Sequence, residues 1–328
     1  MCSTGAFTHT VGVSDTARRL DAVVADHVPE CSRSYAATLI QSGSITIDGR
    51  LKKPSYRVKP GETIQGVLPL RTEPTCSPEP IPLDILYEDS HIIVINKPAG
   101  MVVHPAPGNY TGTLVQGLLH HCPALGGVGA EMRPGIVHRL DKDTSGVILV
   151  AKQRSVLEQL ARQFKARKVK KNYTALVYGC MAADSGEISM PVGRHPVHRK
   201  KMSVTSPKGR PAKTLWQVAK RFHLATLLDV DLKTGRTHQI RVHCAAIHHP
   251  LVGDRVYAAG HGSSNVRGGA EAEMLKLLKS APRQMLHARK LELTHPVKSE
   301  KISFAAPLPD EMRILIDRLS AMDEVFEP

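Results

Sequence analysis

The chain has 328 residues, 41% of them hydrophobic, which is enough for two domains with buried cores, and no run of about 18 consecutive apolar residues, which excludes a helical membrane span. Lysine and arginine total 44 against 30 acidic residues, and this net charge of +14 favours a polyanionic partner, either nucleic acid or an anionic surface. Cys2, Cys31, Cys76, Cys122, Cys180 and Cys244 are too dispersed for a metal finger or a disulfide framework, so reduced and mostly buried thiols are expected in a cytoplasmic protein.

Residues 1–14 show neither periodicity nor a basic start followed by an apolar run, and are expected to be a loose tail without a secretory leader. Leu20, Val23 and Val24 are spaced for one helix face, with Asp15 or Thr16 available as a cap and Pro29 as the stop. Ser32 can cap a second helix carrying Ala36, Leu39 and Ile40, which Gly43 ends. The alternation in Ile45–Ile47 predicts a strand closed by an Asp48-Gly49 turn, and a further strand is expected around Ile64 and Val67. Together these make a small α+β module over 15–70. Between residues 16 and 60 it carries Arg18, Arg19, Arg33, Arg50, Lys52, Lys53, Arg57 and Lys59 against four acids, an excess of +4. The stretches Arg19-Leu20-Asp21, Ser32-Arg33-Ser34 and Ile45-Thr46-Ile47-Asp48-Gly49 resemble the RNA-binding module named after small-subunit ribosomal protein four. That resemblance implies RNA contacts from Arg18, Arg33, Lys52, Lys53 and Arg57.

Four prolines between 71 and 82 sustain neither helix nor central strand, so this stretch is expected to be a semi-stiff linker. A larger domain is expected over 83–315, followed by a C-terminal tail at 316–328. Within it, Ile92-Ile93-Val94-Ile95 and Val147-Ile148-Leu149-Val150-Ala151 read as buried strands. Leu114, Val115, Leu118 and Leu119 mark a helix, and another is expected from 155 to about 168. Strands are expected over 171–178 and 224–232, and a helix over 237–246 after the turn Lys233-Thr234-Gly235. The spacing lacks strict strand–helix alternation, so the fold class is α+β with a mixed, largely antiparallel sheet. Two loops stand out: 194–213, with seven basic residues and no acid, and the Gly- and Ser-rich 258–270.

The chemistry concentrates in His138-Arg139-Leu140-Asp141-Lys142-Asp143-Thr144-Ser145-Gly146, immediately before a buried strand. A carboxylate between Arg139 and Lys142 is favoured in its charged form and can act as nucleophile or base; on composition alone, a solvated salt-bridged loop competes with that reading. Other motif readings fail. Asp143-Thr144-Ser145-Gly146 has one residue too many for an aspartic protease. The leucine before Asp141 departs from a kinase catalytic loop, and there is no Walker loop or dinucleotide fingerprint.

The same run resembles the signature of the large-subunit ribosomal pseudouridine synthases. Five further stretches match in order: Asn96-Lys97-Pro98, Lys171-Asn172-Tyr173, Gly235-Arg236-Thr237-His238-Gln239-Ile240-Arg241-Val242-His243, His249-Pro250-Leu251-Val252-Gly253-Asp254 and Leu286-His287-Ala288. The resemblance covers roughly 16–315 and is nearest the enzyme D subgroup. It implies an isomerase, with Asp141 as the catalytic aspartate, Arg139 inserting into the RNA stack as the uridine leaves, Tyr173 packing on the extruded uracil, and Arg241 pairing with Asp141. Flipping a base costs a few kcal/mol, which an inserted guanidinium and an aromatic platform help offset. The implied partner is large-subunit ribosomal RNA, free or in a pre-ribosomal particle, acted on by a monomer that needs no cofactor. His238 and His243 are five apart and diverge on a helix, with no cysteine or carboxylate to complete a metal set, so no metal is expected. The competing reading is a non-catalytic RNA-binding or ribosome-assembly protein, which the joint presence of Asp141, Tyr173 and Arg241 disfavours.

Overall fold

The computed structural model describes residues 6–28, 31–67, 76–106, 108–130, 132–198, 201–260 and 269–324. The chain divides into two compact units, Met1–Pro74 and Thr75–Pro328. The division falls inside the expected 71–82 linker, of which 71–75 lie outside the described residues. The remainder is no free spacer. Glu79 N donates to Gln116 O at 3.0 Å, and the Glu79 carboxylate accepts the Gly112 N–H at 2.9 Å and the Gln116 side-chain amide. Residues 76–82 therefore fold with the second unit, ahead of the expected start at 83.

In the first unit, helices α1 (Leu20–His27) and α2 (Arg33–Gln41) join an antiparallel sheet of β1 (Ala6–Thr10), β2 (Ile45–Ile47) and β3 (Thr63–Val67), ordered β1-β3-β2. Leu20, Val23, Val24, Ala36, Leu39 and Ile40 from the helices and Ile45, Ile47 and Ile64 from the sheet form one buried cluster. Ser32 caps α2, its Oγ accepting the Tyr35 N–H at 3.3 Å. Asp48 and Gly49 adopt φ of 50° and 71°, the left-handed pair that a tight hairpin turn demands.

Two expectations are corrected here. Residues 6–10 are not a loose tail: β1 pairs with β3 from Ala6↔Val67 to Thr10↔Thr63. Its residues alternate only between exposed and half-buried, so the backbone ladder holds the strand and no apolar period announces it. Nor does Asp15 or Thr16 cap α1, which starts after Arg19 with no side-chain cap. Asp15 is buried and accepts from Arg18 at 3.0 Å while meeting His9 Nε2 at 2.9 Å. His9, Asp15 and His27 are the one trio of potential metal ligands gathered within 4.8 Å among the described residues. The Arg18 guanidinium on the same carboxylate opposes a cation there.

The second unit is built on a nine-stranded sheet. Its strands are β4 (Ile85–Glu88), β5 (Ile92–Lys97), β6 (Ser145–Ala151), β7 (Lys170–Tyr178), β8 (Ser185–Ser189), β11 (Lys213–Phe222), β12 (Ala225–Leu232), β13 (Leu286–Thr294) and β14 (Lys301–Ala305). A separate two-stranded ribbon, β9 (Gly193–Arg194) with β10 (Met202–Ser203), lies in the basic 194–213 segment expected to be a loop. The order is β4-β5-β6-β13-β7-β12-β11-β8, with β14 added beside β13, and only β6 and β13 run parallel. This is the expected mixed, largely antiparallel sheet.

Strands β5 and β6 read as continuous apolar runs because both their faces are covered. Ile93, Ile95, Ile148 and Val150 pack with helix α3 (Leu114–His121), while Ile92, Val94, Val147 and Leu149 pack on the other side with helix α4 (Arg154–Lys165). Gly146 marks the junction of β6 and β13. Its φ is 111°, and a Cβ there would lie 2.2 Å from Ala288 O, so only glycine lets the two strands approach. The expected tail 316–328 is corrected in part. Residues 316–323 belong to helix α7 (Asp310–Asp323), whose Met312, Leu315 and Leu319 are buried with Leu176 and Met285 and with Met274 and Leu278 of helix α6 (Ala270–Lys279). Residues 325–328 lie outside the described residues, as do 261–268 of the Gly- and Ser-rich stretch.

Candidate active site

The sequence run around Asp141 emerges at the start of β6, beside β13 and β7 at the centre of the sheet. Three backbone carbonyls fix this turn. Asp141 O accepts the Thr144 N–H at 3.1 Å, Lys142 O accepts from Lys97 Nζ at 3.1 Å, and Asp143 O accepts from Arg283 at 2.9 Å. His138 accepts the Leu149 N–H at its Nε2 (3.0 Å), and burial pushes its pKa down to about 3, so it orients its own loop as a neutral ring. Two of the matching motifs thus meet at the turn: Lys97 from the first, and His287, which shares Ser145 Oγ with Arg283 at 2.9 and 3.1 Å, from the last.

Lys97 is wholly buried and donates to Pro98 O, Met101 O and Lys142 O at 2.7–3.1 Å. Burial, with Arg283 adding to it, pulls its pKa from 10.5 down to about 7. Between those two values the unfolded chain holds a proton that the folded chain lacks, so raising the pH favours folding across that window. The stability of the wild type relative to Lys97→Met is therefore expected to climb from about pH 7 to pH 10, by at most about 1.4 kcal/mol per pH unit, and to be flat below it. Urea unfolding of both proteins across that range checks this; parallel curves would contradict it.

Around the turn lies a cavity of about 520 Å³, within the size range of small-ligand sites. Arg139, Lys165, Arg167, Lys171, Arg210, Lys233, Arg236 and Arg241 line it, and Asp141 is the single acid among the lining residues. Tyr173 comes from β7 and is buried in the same wall. Burial first, and then the charge of Asp141, raise the Tyr173 phenol above its ordinary range, so it stays a phenol and offers an aromatic face rather than a phenolate base.

Arg241 sits on helix α5 (Gln239–Ala246) and reaches Asp141 Oδ2 with its NH1 at 3.3 Å. Its stronger partner is Asp254, which accepts from Nε at 2.6 Å and NH2 at 2.9 Å in a two-pronged pair. Burial opposes the charge on Arg241, but the bonds to Asp254 and the charges of Asp254 and Asp141 outweigh it and raise its pKa. Asp254 also accepts the Val256 and Tyr257 N–H groups at 2.9 and 3.1 Å. The sequence reading matched its motif but gave Asp254 no role. The signal was available: a lone acid in an apolar stretch that a buried arginine must answer.

The turn before α5 is held by Gln239, whose amide oxygen accepts from Thr234 Oγ1 (2.7 Å) and Arg236 N (3.0 Å). His238 occupies the helix N-cap at φ 55°, a left-handed conformation. His243 is buried between Thr214 Oγ1 at 2.9 Å and Met190 O at 3.0 Å, a packing role that separates it from His238. Asp141, Tyr173, Arg241 and Arg139 are thus brought to one cavity. In the first unit, Arg18 pairs with Asp15 and Asp26, Arg33 with Asp21 (3.3 Å), and Arg57 donates to Ala17 O (2.8 Å); Lys52 lies 4.9 Å from the Tyr56 ring centre, and Lys53 is exposed.

A cavity lined by many cations and one carboxylate, at the start of β6 in a mixed sheet, suits a polyanionic ligand. The chain belongs to the RNA pseudouridylate synthases, an isomerase family. Their family model matches residues 91–246, and that of the S4 domain matches residues 18–64 of the first unit. The chain is 44% identical over 306 residues to ribosomal large subunit pseudouridine synthase D of Xanthomonas campestris, spanning 93% of this chain and 90% of that one. It is 40% identical over 310 residues to an uncharacterized RNA pseudouridine synthase of Bacillus subtilis, spanning 94% and 97%. Among solved structures, the human RNA pseudouridylate synthase domain containing 4 matches 72% of this chain and 92% of its own at TM-score 0.56 and 27% identity. No helix among the described residues is long and apolar enough to cross a membrane.

Proposed function

We propose that this protein isomerises specific uridines to pseudouridine in large-subunit ribosomal RNA, with Asp141 as the reacting carboxylate. One observation carries the reading: among the described residues Asp141 is the only acid lining a cation-rich cavity, and Arg241 lies 3.3 Å from it. Arg139, exposed on the same loop, takes the place of the displaced base, and the buried face of Tyr173 receives the extruded uracil. The uracil parts from ribose at N1, turns and rejoins through C5. Nothing is oxidised and no group is lost, so the reaction draws on no cofactor.

The substrate assignment rests on relatives whose names specify the ribosomal large subunit. The RNA is met free or in a pre-ribosomal particle, by a monomer in the cytoplasm. Mapping pseudouridines in ribosomal RNA from cells lacking the protein tests this: one or more large-subunit positions should revert to uridine. An unchanged map would overturn the substrate, and a bound but unconverted RNA would favour a non-catalytic assembly role instead.

The first unit adds affinity through phosphate contacts. Replacing Lys52, Lys53 and Arg57 together by alanine is expected to weaken binding of a long RNA and to flatten the dependence of log K on log salt by up to about 2 units. A salt titration by filter binding reads this directly. An unchanged slope removes those three residues from the interface.

A further inference from the structure

We propose that His238 is a second catalytic group, whose Nε2–H donates a hydrogen bond to the uracil as it leaves the ribose. The inference rests on the assignment of Asp141 as the reacting carboxylate. His238 lines the same cavity, and its Nε2 lies 4.0 Å from Asp141 Oδ2, facing the carboxylate but beyond hydrogen-bond reach. Its other nitrogen is committed: Nδ1 lies 2.9 Å from the Tyr257 hydroxyl.

The partners of Tyr257 favour one position for the imidazole proton. The Tyr257 hydroxyl accepts the Met202 N–H at 2.8 Å, and among the described residues His238 Nδ1, at 2.9 Å, is the acceptor within reach of its own hydrogen. Burial raises the Tyr257 pKa, which keeps that hydrogen on the phenol. Burial also lowers the pKa of His238, with Asp141 opposing and Arg241 assisting, so the ring is neutral near pH 7. A neutral ring that accepts at Nδ1 carries its one hydrogen on Nε2, the nitrogen facing the reacting carboxylate.

Two features show that the ring is placed at some cost. His238 holds φ 55°, which non-glycine residues rarely adopt and which clusters at functional sites. Gln239 braces the preceding turn through four side-chain hydrogen bonds, accepting from Thr234 Oγ1 and Arg236 N and donating to Lys213 O and Thr214 Oγ1. Heterolysis of the N1–C1′ bond sends the electron pair to the uracil ring, so charge grows on that ring and its carbonyl oxygens. A fixed donor aimed there is stronger toward the transition state than toward the neutral base. No proton need transfer in this step: the hydrogen stays on Nε2.

Two isosteres separate catalysis from architecture. Asparagine places an amide where Nδ1 lies and tolerates the left-handed backbone, so His238→Asn keeps the Tyr257 contact and loses the Nε2 donor. Glutamine places its amide near Nε2 and loses the Tyr257 contact. Single-turnover assays on a ribosomal RNA stem-loop are expected to show a loss of about a hundredfold for His238→Asn, whose RNA affinity and melting temperature, measured separately, stay near wild type, and a smaller loss, about tenfold, for His238→Gln. Tyr257→Phe should fall with His238→Gln. The reverse order, or His238→Asn at wild-type rate, overturns the proposal. Asp141→Asn is assayed alongside: if it is inactive while His238→Asn is not, only this inference fails, and if Asp141→Asn turns over normally, the underlying assignment fails first.

Discussion

Asp141→Asn is expected to lower the rate of pseudouridine formation by about 10⁴-fold or more, with RNA affinity and melting temperature close to wild type. The fold should survive because Asp141 is not what Arg241 depends on. Arg241 keeps its two bonds to Asp254, at 2.6 and 2.9 Å, and gives up only the 3.3 Å contact. The loop should also survive, since its carbonyls are held by Lys97 Nζ, Arg283 and Thr144 N rather than by the carboxylate. Asparagine has the same shape but no charge and no nucleophilic oxygen, so the chemistry is lost alone. RNA affinity should not fall, because removing an acid from a cation-lined cavity reduces repulsion with phosphate. Single-turnover conversion of a stem-loop, with binding measured on the same variant, checks both halves. A rate within tenfold of wild type would sink the assignment of Asp141.

What the sequence disclosed and what it hid follow from the kind of order involved. Elements buried on both faces, such as β5 and β6, were legible because each holds an unbroken apolar run, Ile92–Ile95 and Val147–Ala151. The hairpin turn at Asp48-Gly49 was legible because few residue pairs accept two positive φ angles. Strand β11 went unread because its residues are mostly exposed or half-buried, and it is held by its ladders to β8 and β12. Strand β1 was missed on the same ground, and α7 because its buried Met312, Leu315 and Leu319 sit among exposed charges. At the candidate site, motif resemblance supplied Asp141, Tyr173, Arg241 and Arg139, which share one cavity. It carried Lys97, His238 and Asp254 inside matching stretches without a role, and it did not include Arg283. Their roles arise from contacts across distant segments: Arg283, for example, reaches back to Asp143 O and Ser145 Oγ. No local period encodes such a contact.

Asp254→Asn should produce the largest loss of stability among changes near the site, about 3 kcal/mol, together with a fall in rate. The Asp254 side chain is wholly buried, and its two oxygens accept four donors: Arg241 Nε and NH2, Val256 N and Tyr257 N. Asparagine with its oxygen at the Oδ1 position still accepts Val256 N, Tyr257 N and Arg241 NH2, but its amide hydrogens then face Arg241 Nε–H. The guanidinium, 7% exposed, is then a buried cation whose one anionic partner is distant, Asp141 at 3.3 Å. It should swing toward Asp141 and tie up the carboxylate that must react. Stability and rate therefore fall for different reasons, and a second variant separates them. Arg241→Met combined with Asp254→Asn removes both charges while the asparagine oxygen still accepts the Val256 and Tyr257 N–H groups, and uncharged replacements of a buried ion pair often restore or exceed its stability. Denaturant unfolding should show that the double variant recovers most of the loss, while single-turnover assays should show it as slow as Asp254→Asn or slower. If the double variant also recovers its rate, Arg241 only packs the wall of the cavity. If it recovers stability alone, the buried pair is kept for what Arg241 does at Asp141, and its desolvation is a cost the fold bears for the reaction.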